Sequence, residues 1–228
     1  TIKAFIMNGA FKHRGYSNLI DLSKIINTLD YDDYVIIKDD NSFPNYVDND
    51  DLDFLCKDRK VLRDKISEQL SEYDSLGYRI VEKDKSVRHH IDIVPQGSNQ
   101  KNEPYGHNNI INFRFDLLDM SPYLQEFHHM TNKIEISDNF FSDIIDRRVK
   151  KTFSWPVMFE NQGTFEANFP SETDDLVLRF IEWVWQPHKT RHIEYVKNNL
   201  TNTADFIYII NNNTSIEIDK NYVQELLK

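Results

Sequence analysis

Apolar positions along the chain switch between two periods, and each switch marks an element. Leu19, Leu22, Ile25, Ile26 and Leu29 recur at helical spacing and predict a helix over 18–29. Tyr34-Val-Ile-Ile-Lys38 is a β-branched run that reads as a buried strand, and Leu52-Asp-Phe-Leu-Cys56 as a second. Val61, Leu62, Ile66 and Leu70 put one apolar face on a helix over 60–73, with Gly77 as a stop signal beyond it. Residues 78–82 and 89–94 are strand candidates, the latter ended by Pro95, and 96–109 reads as a loop of Gly, Ser, Asn and Pro. Ile111, Phe113, Phe115 and Leu117 then alternate with Asn112, Arg114 and Asp116, the period of a strand with two distinct faces.

After Pro122 the pattern turns helical. Residues 140–149 and 173–185 are predicted helices joined by an irregular aromatic segment, with Ser171 as the cap of the second and Asp174 and Asp175 in its first turn, where carboxylates suit the helix dipole. Leu176, Val177, Phe180, Ile181 and Val184 form a stripe on that helix which has to be buried. The tail shows a strand-like run at 206–210 and a short closing helix at 221–227. The expected fold class is therefore α+β. A core at 1–125 carries a mixed sheet with flanking helices, and a helical half at 126–228 packs on it as a layer rather than folding alone.

Composition narrows the function classes. Acidic residues number 37 against 27 basic ones, a net charge of −10, which argues against nonspecific nucleic-acid binding and against an anchor on anionic lipid. No apolar run approaches the roughly 18 residues a membrane span requires, and Thr1 to Ala10 lacks the layout of a signal peptide. The single cysteine, Cys56, excludes an internal disulfide and a cysteine-based zinc site, and points to a reducing, cytoplasmic setting. Neither GxxxxGK[ST] nor GxGxxG occurs, so P-loop and Rossmann readings have no support.

The chemistry concentrates in Asn49-Asp-Asp-Leu-Asp-Phe-Leu55. On a strand Asp51 and Asp53 share a face, because side chains alternate with a period of two, and two carboxylates on one face repel unless a cation lies between them. Oxygen-only ligands select a hard ion, Mg²⁺ or Mn²⁺, whose remaining positions suit water and phosphate. Asp92 and Asp116 are the candidates for a third carboxylate. Asp116 is preferred, because its alternation with Phe113, Phe115 and Leu117 defines its face and Arg114 shares that face. Lys38 and Arg114 are candidate phosphate contacts, and Arg147, Arg148 and Lys189 are basic residues suited to an anionic substrate. His188 and His192 have the spacing of a zinc pair on a helix, but nothing supplies a third ligand. Cys56 lies in an apolar strand with no adjacent base and reads as a small core residue.

Several segments then occur in a telling order: Tyr34-Val-Ile-Ile-Lys38, Asn49-Asp-Asp-Leu-Asp-Phe-Leu55, Asn112-Phe-Arg-Phe-Asp-Leu-Leu-Asp-Met-Ser-Pro-Tyr123, Asp146-Arg-Arg-Val149, Phe169-Pro-Ser-Glu-Thr-Asp-Asp-Leu176 and Pro187-His-Lys189. Across residues 34–195 the chain resembles nucleotidyltransferase-like proteins of capsule and glycan synthesis, and more distantly the phosphocholine transferases and fukutin-like proteins. The resemblance implies a nucleotidyltransferase-like sheet and metal-dependent nucleotidyl or phosphoryl transfer from a nucleotide or nucleotide-sugar donor to a sugar or glycan acceptor. One ion would activate the attacking hydroxyl and another would steady the leaving phosphate. Asp51 and Asp53 would be shared ligands, with Asp116 or Asp92 ligating the activating ion or acting as base. The chain departs from the pattern where a Gly-Ser turn usually precedes the D-x-D; here the stretch is Asn41-Ser-Phe-Pro-Asn-Tyr-Val47. Two alternatives follow: a D-x-D glycosyltransferase, and a non-catalytic module that retains the fold.

Overall fold

A computed structural model of the chain describes residues 21–29, 33–39, 43–44, 50–76, 78–84, 88–95, 113–119, 134–155 and 163–228. The expected loop at 96–109 and most of 41–47 lie outside these residues. The elements run α1 (Leu22–Thr28), β1 (Tyr34–Ile37), β2 (Asp50–Cys56), α2 (Arg59–Leu70) extended by a 3₁₀ turn (Ser71–Leu76), β3 (Tyr78–Asp84), β4 (Arg88–Pro95) and β5 (Phe113–Asp119). They continue with α3 (Phe140–Asp146), β6 (Val149–Ser154), β7 (Thr164–Phe169), α4 (Glu172–Trp185), α5 (Thr190–Asn199), α6 (Thr203–Asn213) and α7 (Lys220–Leu226). The fold is α+β. No helix among the described residues is long and apolar enough to cross a membrane.

Five strands form a mixed sheet in the order β1-β2-β5-β4-β3. β2 runs parallel to β5, and the other neighbouring pairs are antiparallel. Because side chains alternate, the sheet presents two distinct faces. Tyr34, Ile36, Leu52, Phe54, Ile91, Ile93, Phe113, Phe115 and Leu117 build one core with α1, α2 and Tyr73. Val35, Ile37, Leu55 and Leu118 point the other way, into a second core shared with residues of α3 through α7. The apolar part of this second face is short. The same face of β2, β5 and β4 continues as Asp51, Asp53, Arg114, Asp116, His90 and Asp92, and there the candidate site lies.

Caps follow local chemistry. The Asp58 side chain accepts from the Val61 amide at the start of α2, and the Ser171 hydroxyl accepts from the Asp174 amide at the start of α4, where Glu172, Asp174 and Asp175 occupy the first turn. Burial on α4 exceeds the expected stripe: Leu176 through Glu182 are all buried, Arg179 and Glu182 included.

Three expectations are corrected. The run at 206–210 is not a strand but the centre of helix α6, in which Phe206 and Ile210 are buried one turn apart while Tyr208 faces solvent. A short apolar run does not by itself distinguish the two periods; here the Asn202 side chain caps the helix by accepting from the Asp205 amide. The aromatic segment before α4 is not irregular but the antiparallel pair β6–β7, and α3 stops at Asp146, three residues before the end expected. β7 shows the alternation, with Phe165, Ala167 and Phe169 buried, but β6 is almost wholly exposed and polar in sequence, which hides the pairing. The hairpin packs on the first core through Phe43, whose ring lies 4.8 Å from that of Phe153 and 5.6 Å from that of Phe169.

Candidate metal centre

The parallel register of β2 and β5 sets Asp53 directly beside Asp116 and Asp51 beside Arg114. Neighbouring strands lie about 4.8 Å apart, so residues in register on one face bring their side chains together. Asp51, Asp53 and Asp116 each offer one carboxylate oxygen, and the three oxygens lie within 4.8 Å of one another. The cluster grades from exposed Asp51 through half-buried Asp53 to buried Asp116. Its donor set is all oxygen and all anionic, the chemistry of a hard divalent cation. Metal–oxygen bonds of about 2.1 Å join oxygens up to about 4.2 Å apart, so small side-chain rotations close the carboxylates round one ion. The three residues can therefore hold a metal ion.

Electrostatics agree with that capacity. The Asp51 carboxyl is pushed up to about 6 by partial burial and then by the Asp53 and Asp116 charges, against the opposing pull of Lys38 and Arg114. A cation in the cluster would relieve this crowding.

Cationic side chains surround the acids. Lys38, just beyond the end of β1, places its Nζ 2.7 Å from Asp53 Oδ2 and 3.3 Å from Glu182 Oε2 on α4. Its backbone is left-handed, with φ +59°, a conformation that costs a non-glycine residue roughly 1–2 kcal/mol. Asp116 has His90 Nδ1 at 2.5 Å and Arg88 Nη1 at 3.6 Å.

The remaining sequence candidates are held in other contacts. Asp92 is buried and paired with Arg114, whose Nε donates at 2.6 Å and Nη2 at 3.2 Å, with Lys83 3.7 Å away. Arg114 thus spends its fork on Asp92 while its Nε stays 3.8 Å from Asp116. Arg147 is bidentate to buried Asp174, Arg148 donates to the Ile145 carbonyl, and Lys189 donates to Glu182 at 2.8 Å. His188 precedes α5, which begins at Thr190, so it does not share a helix turn with His192. His192 is buried, its Nε2 3.4 Å from Glu182. The Cys56 thiol is buried and pushed up, first by that burial.

Sequence reasoning missed His90 and Glu182. His90 pairs in register with Asp116 across β4–β5, a relation visible only once the strand alignment is known. Glu182 looks like an ordinary surface acid within an apolar helix; only the burial of α4 on every side marks it. By itself that burial would raise the Glu182 carboxyl. The His192, Lys38 and Lys189 contacts outweigh it and hold the group well below the usual carboxylate range.

A cavity of about 400 Å³ is lined by Asp39, Lys151, Phe169, Asp175 and Tyr195 among others. Buried Arg179 organises it: the guanidinium donates to Asp175 and to the Asp39 carbonyl, each at 3.0 Å, and stacks 3.8 Å from the Tyr195 ring. Comparison of the chain with protein-family models and with curated proteins finds no match.

Proposed function

We propose that this protein is a metal-dependent nucleotidyl- or phosphotransferase acting on a sugar or glycan acceptor. The carrying observation is the convergence of Asp51, Asp53 and Asp116 from two neighbouring strands, with Lys38 at the rim. Support for the nucleotidyltransferase-like resemblance comes from the sheet itself: the D-x-D strand lies between an antiparallel Tyr34–Ile37 strand and a parallel strand bearing the third carboxylate.

Asp51, Asp53 and Asp116 would hold Mg²⁺ or Mn²⁺. Bound there, such an ion supplies Lewis-acid activation of a hydroxyl and neutralises charge on a phosphate. Lys38 offers its ammonium to a phosphate oxygen beside the cluster. Arg114, tied to Asp92, orients the Asp116 side of the cluster rather than meeting substrate. His90 and Arg88 steady Asp116, the least exposed of the three acids. The cavity beside Lys38 has the size and the mixed aromatic and carboxylate lining that suit a hydroxylated acceptor.

The test is turnover. The full chain is incubated with Mg²⁺ or Mn²⁺ and a panel of nucleoside triphosphates, nucleotide sugars and nucleotide-activated alcohols, with sugar acceptors, and followed by ³¹P NMR. Metal-dependent release of pyrophosphate or nucleoside monophosphate is expected. Release of nucleoside diphosphate from a nucleotide sugar would indicate glycosyl transfer and contradict the proposal, as would no turnover of any donor.

A further inference from the structure

Lys38 is fixed at both ends by one helix. Its backbone N–H is hydrogen-bonded to the Asp175 carboxylate, and its ammonium lies 3.3 Å from Glu182. Both acids belong to α4 and are seven residues apart, two helical turns, so they stand on one side of the helix with a rise of about 10 Å between them. An extended lysine is shorter than this from amide to ammonium, and the reach of the two acid side chains closes the difference. Glu182 is itself immobilised: it is buried, and its Oε1 faces Lys189 at 2.8 Å and His192 at 3.4 Å.

Charge counting gives this arrangement a direction. Lys189 and Lys38 together bring two positive charges to the single Glu182 carboxylate, and in this structure Asp53 supplies the balance at 2.7 Å from Lys38. A divalent ion taken up by Asp51, Asp53 and Asp116 claims the Asp53 charge. The Lys38 ammonium, still held by Glu182, then stands beside the ion with donor capacity for a phosphate oxygen. A lysine on an unsupported strand end would lose the freedom of four side-chain bonds on meeting an anion; here that freedom is already lost.

We infer that Glu182 is a positioning residue, which together with Asp175 splints Lys38 so that its ammonium meets a phosphate bound at the metal centre. The inference rests on the reading of Asp51, Asp53 and Asp116 as a metal centre. It makes the α4–α5 segment part of the site and not only its cover, and it assigns to Lys189 and His192 the task of holding Glu182 rather than contacting substrate.

The probes are Mn²⁺ and inorganic phosphate on the full chain. Protein is kept in excess over Mn²⁺, and the ³¹P relaxation of phosphate reports its occupancy beside the bound ion. Glu182→Gln is expected to keep the wild-type Mn²⁺ affinity and to weaken phosphate binding about tenfold, the scale of one lost hydrogen bond to a charged group. Lys38→Met is expected to weaken phosphate binding by a similar factor, and the double variant to bind phosphate no more weakly than Lys38→Met alone. A role confined to folding would not separate the two affinities. Should Glu182→Gln not fold, Glu182→Asp keeps the buried charge but draws it back by one methylene, and a smaller loss in the same direction is expected. Wild-type phosphate relaxation in the folded Glu182 variant, or additive losses in the double variant, would overturn the inference while leaving the metal centre standing. Failure of the wild type to bind Mn²⁺ would instead remove the metal centre, and this inference with it.

Discussion

Asp53 and Asp116 stand opposite each other on parallel strands, and each has its own partner: Lys38 at 2.7 Å from Asp53 and His90 at 2.5 Å from Asp116. The two acids are close without being bonded to one another, and each is steadied from its outer side. Asp51, the third member of the group, is the exposed one.

Asp51 gives the site a pH signature. Its folded carboxyl is raised from 3.8 to about 6, so the folded chain binds this proton more tightly than the unfolded chain does. Stability of the metal-free protein should therefore fall as pH rises through that interval and stay lower above it. Asp51→Asn removes the step. Thermal unfolding of the metal-free proteins should show the variant gaining on the wild type between pH 4 and pH 6 and keeping its lead at pH 8. Parallel curves across this range would contradict the assignment. Mn²⁺ affinity of the wild type should rise over the same interval, because binding displaces the proton.

Asp92 and Asp116 should separate in experiment. Asp92 is buried against Arg114, so Asp92→Asn is expected to cost about 2–3 kcal/mol, somewhat below the usual loss for a fully buried pair because Arg114 is partly exposed. Mn²⁺ affinity should fall far less than in Asp116→Asn. Asp116→Asn should do the reverse, losing Mn²⁺ binding for a smaller change in urea midpoint. Equal effects of the two substitutions on Mn²⁺ would contradict the division of roles.

Phe180 is fully buried in α4, and its ring lies 5.5 Å from that of Phe206. Phe180→Ala should destabilise the chain by about 3–5 kcal/mol in urea unfolding, the usual range for deleting a buried aromatic ring. A loss under about 1 kcal/mol would mean that the second core does not close on α4 as described.

Cys56 is buried on β2, with its Sγ 3.4 Å from the Leu118 carbonyl, and burial keeps the thiol protonated. Native protein should resist alkylation by iodoacetamide at pH 8, and urea-unfolded protein should react fully. Rapid modification of the native chain would place the thiol at the surface.

What could be read from the sequence follows the range of the interactions involved. Alternation on β5 fixes the face of Asp116, the D-x-D fixes a shared face for Asp51 and Asp53, and the stripe on α4 announces its burial; each is a local pattern. The strand order that joins β2 to β5 is not local, and so neither the Asp53–Asp116 pairing nor the His90 contact could be read directly. Glu182 was hidden for the same reason, since its partners Lys38 and His192 come from other elements. β6 escaped because Lys150, Lys151, Thr152 and Ser154 leave it only two apolar residues, Val149 and Phe153, and α6 because five apolar or aromatic residues in a row fit either period until packing decides.

The most direct measurement is a calorimetric titration of Mn²⁺ into the metal-free full chain at pH 8, for the wild type and for Asp53→Asn and Asp116→Asn. A metal centre built on these carboxylates predicts saturable binding by the wild type and loss of that binding in both variants, with their folds retained by circular dichroism. Absence of binding by the wild type, or undiminished binding by either variant, would contradict it.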